Sequence, residues 1–228
     1  MDLVTRLSLK SQSIAYAIMR PMLHVGLTGN IASGKSYTAH LFAEMGARII
    51  DADQLVHELL VSGTATHRKI VDAFGEQILT QDREIDRKKL GQIIFFNPEK
   101  RLLLNQLTHH DVGVEIVRRI FELEQSAARG IIIVDAALMV ETGGYKMYHR
   151  LIVVTCNPVL QISRLMSRDG LTEEEARARM NSQMPIEEKI KLADYTIDTS
   201  GTLRQTRDQV EAIYRDLLIQ ELSLKEHH

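Results

Sequence analysis

The chain has little of several things that would settle its class at a glance. There is one cysteine, Cys156, which excludes an internal disulfide framework and any cysteine-based zinc site. It ends the apolar run Leu151–Cys156 and is read as a buried strand residue, not a reactive thiol. No apolar stretch approaches the roughly 20 residues that a membrane-crossing helix needs, so no membrane partner is expected. Charge of either sign is not in excess: 28 Lys and Arg stand against 30 Asp and Glu, a net charge of −2. That balance, and the lack of aromatic residues interleaved with basic ones, argue against a nucleic-acid partner, although a local basic cleft stays open. An internal repeat, a low-complexity tract and a Ser/Pro-rich linker are missing too, as is the Asn-Lys-x-Asp segment with which a GTPase reads guanine. What is left is a chain of 228 residues, 44% hydrophobic, sufficient for one α/β domain with inserted subdomains.

What is present is organised around Gly29-Asn30-Ile31-Ala32-Ser33-Gly34-Lys35-Ser36, which fits the phosphate-loop pattern G-x-x-x-x-G-K-[ST] at every fixed position. The context agrees on both sides. Leu23 to Thr28 reads as a strand, and Tyr37 to Met45 reads as a helix with Ala39, Leu41, Phe42 and Met45 as apolar positions. A strand, a glycine-rich turn and a helix start gather backbone N–H groups around one anion. Lys35 is expected to reach the β- and γ-phosphates of a nucleoside triphosphate, and the Ser36 hydroxyl to ligate Mg²⁺.

Ala47 to Asp51 reads as a second strand and completes a βαβ unit. Ligands of open α/β sheets lie beyond the carboxyl ends of the strands, so Asp51 and Asp53 are expected at the same rim as the loop. A kinase needs an acid there to orient an acceptor hydroxyl and take its proton. The competing reading has Asp53 cap a helix from Gln54 to Val61; the two roles can fall to different members of the pair. Residues 55–128 carry no convincing strand. Leu55–Leu60, Thr66–Phe74, Arg87–Phe96 and Pro98–Ala127 read as helices, Glu76–Asp86 as a polar loop, and Leu103, Leu107, Val114, Val117 and Phe121 as one packing face. His109 and His110 are read as helix residues, not metal ligands.

Ile131–Asp135 reads as a central strand buried on both faces. A strand-end acid can hold Mg²⁺ or simply form a turn, so neither Asp135 nor the nearby Glu141 is assigned to metal. Arg150–Thr155 reads as the next strand, and Asn157-Pro158 starts a helix carrying Arg164 and Arg168 on one face. Asp169-Gly170 turns it, and Thr172 with Glu175 opens another helix as a capping box. Such an arginine-bearing hairpin suits a lid that closes over the loop and neutralises the transferring phosphoryl group. Ala193–Asp198 reads as a fifth strand, and Thr202 to Leu218 as a last helix.

Together these stretches resemble the dephospho-coenzyme A kinase family. The resemblance covers Met22 to Leu218 and rests on Gly26–Gly29 with Ser33–Ser36, Ile50–Asp53, Arg164–Asp169, Gln183-Met184-Pro185 and Ala193–Gly201. It implies a P-loop kinase fold: a five-stranded parallel sheet flanked by helices, with a helical acceptor-binding insertion at about 55–128 and a lid at about 158–185. It implies transfer of the ATP γ-phosphate to the ribose 3′-hydroxyl of dephospho-coenzyme A, with Mg²⁺, by a cytoplasmic monomer or weak homo-oligomer. Asp53, Lys35, Arg164 and Arg168 match the catalytic positions, and Thr28, Gly29, Asn30, Ile31, Ala32, Ser33, Gly34, Lys35, Ser36 and Tyr37 the nucleotide side. The chain departs from the family where His110 and Ala137 stand in place of common prolines and Tyr37 in place of a small Thr. A nucleoside monophosphate or shikimate-like kinase is the alternative, and a nucleotide-switch binding protein a third. Residues 1–21 are read as an N-terminal extension, with Met22 a possible start and a transit-type segment the other reading; residues 219–228 are read as a tail.

Overall fold

The structure, a computed structural model, describes residues 22–95, 97–126 and 129–223; the expectations for residues 1–21 and for the end of the tail lie outside them. Five strands, β1 (Leu23–Gly29), β2 (Arg48–Asp51), β3 (Ile131–Asp135), β4 (Arg150–Thr155) and β5 (Tyr195–Asp198), form one sheet in the order β2-β3-β1-β4-β5. β1 pairs in parallel with β3 and β4, setting Leu23 opposite Ile131 and Val25 opposite Arg150; β4 pairs in parallel with β5. Parallel neighbours need long crossovers, usually helical.

On one face α1 (Lys35–Glu44) and α9 (Leu203–Ser223) pack Leu41, Phe42, Val210 and Leu217 onto Leu23, Val25, Leu27, Ile131, Ile133, Ile152 and Val154. The alternate residues Ile132, Val134, Leu151 and Val153 are also buried. β3 is buried at every position, which is why its sequence is an unbroken apolar run and not an alternating one. α9 extends to Ser223, beyond the expected stop at Leu218; Leu217 and Glu221 are both buried, so packing carries the helix on. Cys156 is a free, buried thiol just past β4.

The described residues fall into two compact units, one within Met1–Ile50 and Ile120–His228, the other Asp51–Arg119. The second unit holds α2 (Ala52–Leu59), α3 (Ala65–Phe74), α4 (Arg87–Phe95) and the first part of α5 (Pro98–Ser126). Its core is Leu60, Ile70, Phe74, Ile78, Ile85 and Leu90, with Leu103, Leu104 and Leu107 packed against it. Two expectations change here. Glu76–Asp86 is more than a loop: it contains a 3-10 turn at Glu76–Ile78 and an antiparallel bridge between Leu79 and Ile85. The burial of Ile78 and Ile85 organises a stretch whose polar composition hides it. The expected packing face of α5 is used only near its start, because Val114, Val117 and Phe121 are each more than half exposed.

Beside that stretch, Glu115 accepts hydrogen bonds from Arg118 at 2.6 and 2.8 Å and from Arg119 at 3.0 Å. Arg118, followed by Arg119, holds the Glu115 carboxyl down to about 2, against an ordinary 4.5. A folded value below the unfolded one means stability present above about pH 4.5 and lost as pH falls towards 2. Because Arg118 is half exposed, the contribution is about 1 kcal/mol at neutral pH. Glu115→Gln is therefore expected to melt slightly lower at neutral pH and to converge with the parent chain near pH 2, as followed by thermal melts across that range.

Candidate active site

The loop after β1 is shaped by what its backbone must avoid. Gly29 sits opposite Val154, and a Cβ there would lie 2.6 Å from the Val154 carbonyl oxygen and 2.7 Å from Ser33 Oγ. The chain then turns on the Ser33 N–H bond to the Asn30 carbonyl, 3.0 Å. Two residues here are left-handed, Ala32 within that turn with φ 58° and Gly34 just after it with φ 87°. Glycine adopts that region freely, whereas alanine there costs about 1–2 kcal/mol, which contacts outside the loop must offset.

Those contacts come from α6 (Pro158–Asp169) and from Thr199, just past β5. Gln161 Nε2 donates to the Ile31 carbonyl at 2.9 Å, Arg164 Nη1 to the Ala32 carbonyl at 3.3 Å, and Thr199 Oγ1 to the Ser33 carbonyl at 2.6 Å. Three successive carbonyls are thus held from outside. With the carbonyls turned outward, the concave side is left to the amide groups that open α1, whose first N–H groups have no intrahelical partner. α1 begins at Lys35, ahead of the expected Tyr37, because Gly34 in the left-handed region already serves as its cap. Ser36 is exposed in the first turn of α1, and Tyr37 packs half-buried against the core.

The residues of the loop fit a bound phosphate chain. The buried Ser33 Oγ has no hydrogen-bond partner and has a proton to donate to a phosphate oxygen. Lys35 Nζ forms an ion pair with Asp135 Oδ1 at the end of β3, where Asp135 is buried. Thr28 Oγ1 donates to the Ala137 carbonyl at 3.1 Å. Glu141 is engaged elsewhere, with Lys189 at 2.8 Å.

α6 and α7 (Glu173–Asn181) form a helical hairpin that turns at Gly170, φ 67°. Asn157 caps α6 through the Val159 N–H with Pro158 following, and Thr172 and Glu175 form both bonds of the capping box. The hairpin's core, Ile162, Leu165 and Ala176, takes in Ile31 and Ala32 from the loop. Arg164 lies against the loop, donating also to Thr199 Oγ1 at 3.2 Å and to the Thr199 carbonyl at 3.0 Å. Arg168 is exposed and grips Asp169 with bonds of 2.7 and 3.0 Å, which lowers the Asp169 carboxyl and raises the Arg168 guanidinium. The structure therefore groups Thr28, the loop, Lys35, Asp135 and Arg164, and places Arg168 at the hairpin turn.

Asp53 belongs to the second unit. It is exposed in the first turn of α2, two residues past the end of β2. The cap of α2 is Asp51, whose Oδ1 accepts the Gln54 N–H at 2.9 Å. Capping has thus fallen to Asp51, and the reading in which Asp53 caps the helix is corrected.

The family model for dephospho-CoA kinase matches residues 23–205. The chain belongs to the dephospho-CoA kinase family. It is 44% identical over 189 residues to the dephospho-CoA kinase of Carboxydothermus hydrogenoformans, covering 83% of this chain and 91% of that protein. Among solved structures, a Thermus thermophilus protein aligns with a TM-score of 0.71 at 28% identity, over 86% of this chain and 97% of that one. The dephospho-CoA kinase of Campylobacter jejuni aligns with a TM-score of 0.58 at 28% identity, over 87% and 98%. The kinase reading of the loop and the five-stranded parallel sheet both agree with this family, and the alternative of a nucleoside monophosphate or shikimate-like kinase gives way to it. Among the described residues no helix is long and apolar enough to cross a membrane.

Sequence reasoning gave no role to Gln161, Thr199 or Gln183. Gln161 left a signal, being a polar residue next to Ile162 on the buried side of an otherwise amphipathic helix. Thr199 and Gln183 lie inside stretches that carry the family resemblance, but nothing in their spacing says that Thr199 holds the Ser33 carbonyl or that Gln183 Oε1 accepts the Ile31 N–H.

Proposed function

We propose that this chain, as an ATP-using member of its family, moves the γ-phosphoryl group onto the ribose 3′-hydroxyl of dephospho-coenzyme A with Asp53 as the base. The acceptor oxygen forms a bond to the γ-phosphorus, the bond from that phosphorus to the β–γ bridging oxygen breaks, ADP leaves, and the hydroxyl proton passes to the Asp53 carboxylate. Asp53 is exposed in the first turn of α2, and the cap of that helix is Asp51. The loop amides and the Ser33 hydroxyl hold the phosphate oxygens, and Lys35 supplies positive charge beside them. Arg164 acts from behind the loop, through the Ala32 carbonyl that it holds. Arg168, exposed at the hairpin turn, is the lid cation that can turn to the developing charge.

Ser36 is the residue that would hold Mg²⁺, which when bound supplies charge neutralisation to the phosphates. Asp135 is committed to Lys35 and Glu141 to Lys189, so neither is assigned to the metal. The reading carries with it a cytoplasmic monomer or weak homo-oligomer.

The observation that carries this proposal is the family match over 23–205 on a chain whose phosphate loop is complete and whose buried Ser33 hydroxyl lacks a partner. An ATP-dependent ADP-release assay with dephospho-coenzyme A, adenosine and nucleoside monophosphates as acceptors tests it. Turnover with dephospho-coenzyme A alone, or at least a hundredfold preferred, is the expected result. Turnover on a nucleoside monophosphate and none on dephospho-coenzyme A would overturn it.

A further inference from the structure

Lys189 is a lysine with no exposed surface, on α8 (Ile186–Ile190), in the segment that returns from the hairpin to β5. An ammonium is hard to bury, and lysine is almost never found fully inside unless paired. Here Nζ meets Glu141 Oε1 at 2.8 Å and donates to the Ala137 carbonyl at 3.0 Å. Neither partner ends there. The Ala137 carbonyl also accepts the Thr28 hydroxyl, at the end of the strand that feeds the phosphate loop. Glu141 Oε1 also accepts the Met184 N–H at 3.4 Å. The Met184 carbonyl in turn accepts from Asn30 Nδ2 at 3.1 Å, and the neighbouring Gln183 Oε1 accepts the Ile31 N–H at 2.7 Å. A continuous polar path therefore runs from the ammonium, through the carboxylate and the return segment, to the first two variable residues of the loop.

Stability alone does not account for such a pair. Buried ion pairs replaced by apolar groups of similar volume are often no less stable, while removing one partner leaves the other charged and uncompensated. What an ion pair supplies that packed methylenes do not is direction: fixed points to which a carbonyl and an amide can be oriented. Here those fixed points are spent on the segment that ends the lid and on the loop that the lid covers.

We infer that Lys189 is a positioning residue which, through Glu141, clamps the return segment Gln183–Met184 to Asn30 and Ile31 and so holds the phosphate loop in its catalytic shape. The inference rests on the proposed phosphoryl transfer for its kinetic part. Its structural part stands in the free protein. Lys189 touches neither loop nor phosphate itself, and its effect reaches them through the clamp.

Two variants test it. Glu141→Leu/Lys189→Met replaces both charges with apolar side chains of similar size and cuts the path at its root. Gln183→Leu, at a half-buried position, cuts only the last bond to the Ile31 N–H and decides the matter if the double variant does not fold. Amide exchange of Ile31 is measured in the nucleotide-free protein, and kcat and the KM for ATP are measured beside the parent chain. In both variants Ile31 is expected to exchange at least tenfold faster. In the double variant kcat is expected to fall at least tenfold, with KM for ATP changing less than threefold and the melting temperature within a few degrees of the parent's. A folded double variant with parental exchange at Ile31 or with parental kcat overturns the inference, and so does a Gln183→Leu protein with parental exchange at Ile31. A parent chain that exchanges slowly at Ile31 but does not phosphorylate dephospho-coenzyme A refutes the proposed reaction and leaves the clamp to be judged by exchange alone.

Discussion

Asp53→Asn is expected to bind ATP as the parent chain does and to lose about 10²–10⁴-fold in kcat, the range that a positioned acid or base contributes. The substitution keeps size and shape and removes the charge and proton affinity. It leaves the cap of α2 intact, because Asp51, not Asp53, caps that helix. Losing an acid from the first turn of a helix costs about 0.3–1 kcal/mol through the helix dipole, far too little to unfold the chain. The control is Asp51→Asn, which exchanges one good cap for another and is expected to keep its helix and most of its turnover. Steady-state kinetics with dephospho-coenzyme A, paired with an ATP-binding titration, separates the two effects. An Asp53→Asn protein with near-parental kcat would remove Asp53 from the chemistry.

The second large effect is expected at Gly29. A Cβ at this position would stand 2.6 Å from the Val154 carbonyl oxygen, 2.7 Å from Ser33 Oγ and 3.1 Å from Val154 Cβ. The first of these atoms is backbone of β4, which pairs with β1 and β5 and cannot swing aside as a side chain would. Gly29→Ala must therefore push the loop away from β4. Overpacking of this kind costs about 1–3 kcal/mol, or roughly 2–10 °C in melting temperature for a chain this long. Because the displaced atoms include Ser33 Oγ, which the phosphates would use, the KM for ATP is expected to rise at least tenfold. Gly113→Ala on α5 makes the comparison: nothing lies within 4 Å of its added Cβ, and it is expected to hold or raise stability by about 0.4–1 kcal/mol. Equal ATP affinity in Gly29→Ala and the parent chain would show that the loop tolerates the displacement.

The parts of the fold that were legible in the sequence are those where one local pattern has one physical reading. The unbroken apolar run of β3 reports burial on both faces, and the loop pattern reports a strand, a turn and a helix start. Thr172 and Glu175 report a capping box because each satisfies the other's orphan donor within a single turn. The parts that were not legible depend on distant partners. Glu76–Asp86 reads as polar, and only the shared core of α3 and α4 makes a turn and a bridge of it. The stripe on α5 has helical spacing throughout, yet spacing does not say where the neighbouring elements stop, and Val114, Val117 and Phe121 lie beyond them.

The candidate site divides in the same way. Lys35, Ser36 and the glycines follow from the motif, since their chemistry is carried by adjacent residues. The outside supports of the loop come from Gln161, Arg164 and Thr199, more than a hundred residues away in the chain. Their sequence positions carry no sign of the carbonyls that they hold. Lys189 is the extreme case: a lysine among glutamates on a short helix reads as solvated surface, and only the fold encloses it.

The central claim is that this chain places a phosphoryl group on one particular oxygen. Incubation with ATP and dephospho-coenzyme A, followed by proton and phosphorus NMR of the purified product, locates the new phosphate directly. A single new monoester coupled to the ribose 3′ position is the result predicted here. A phosphate found on any other oxygen, or no new ester while ATP is still consumed, would contradict it.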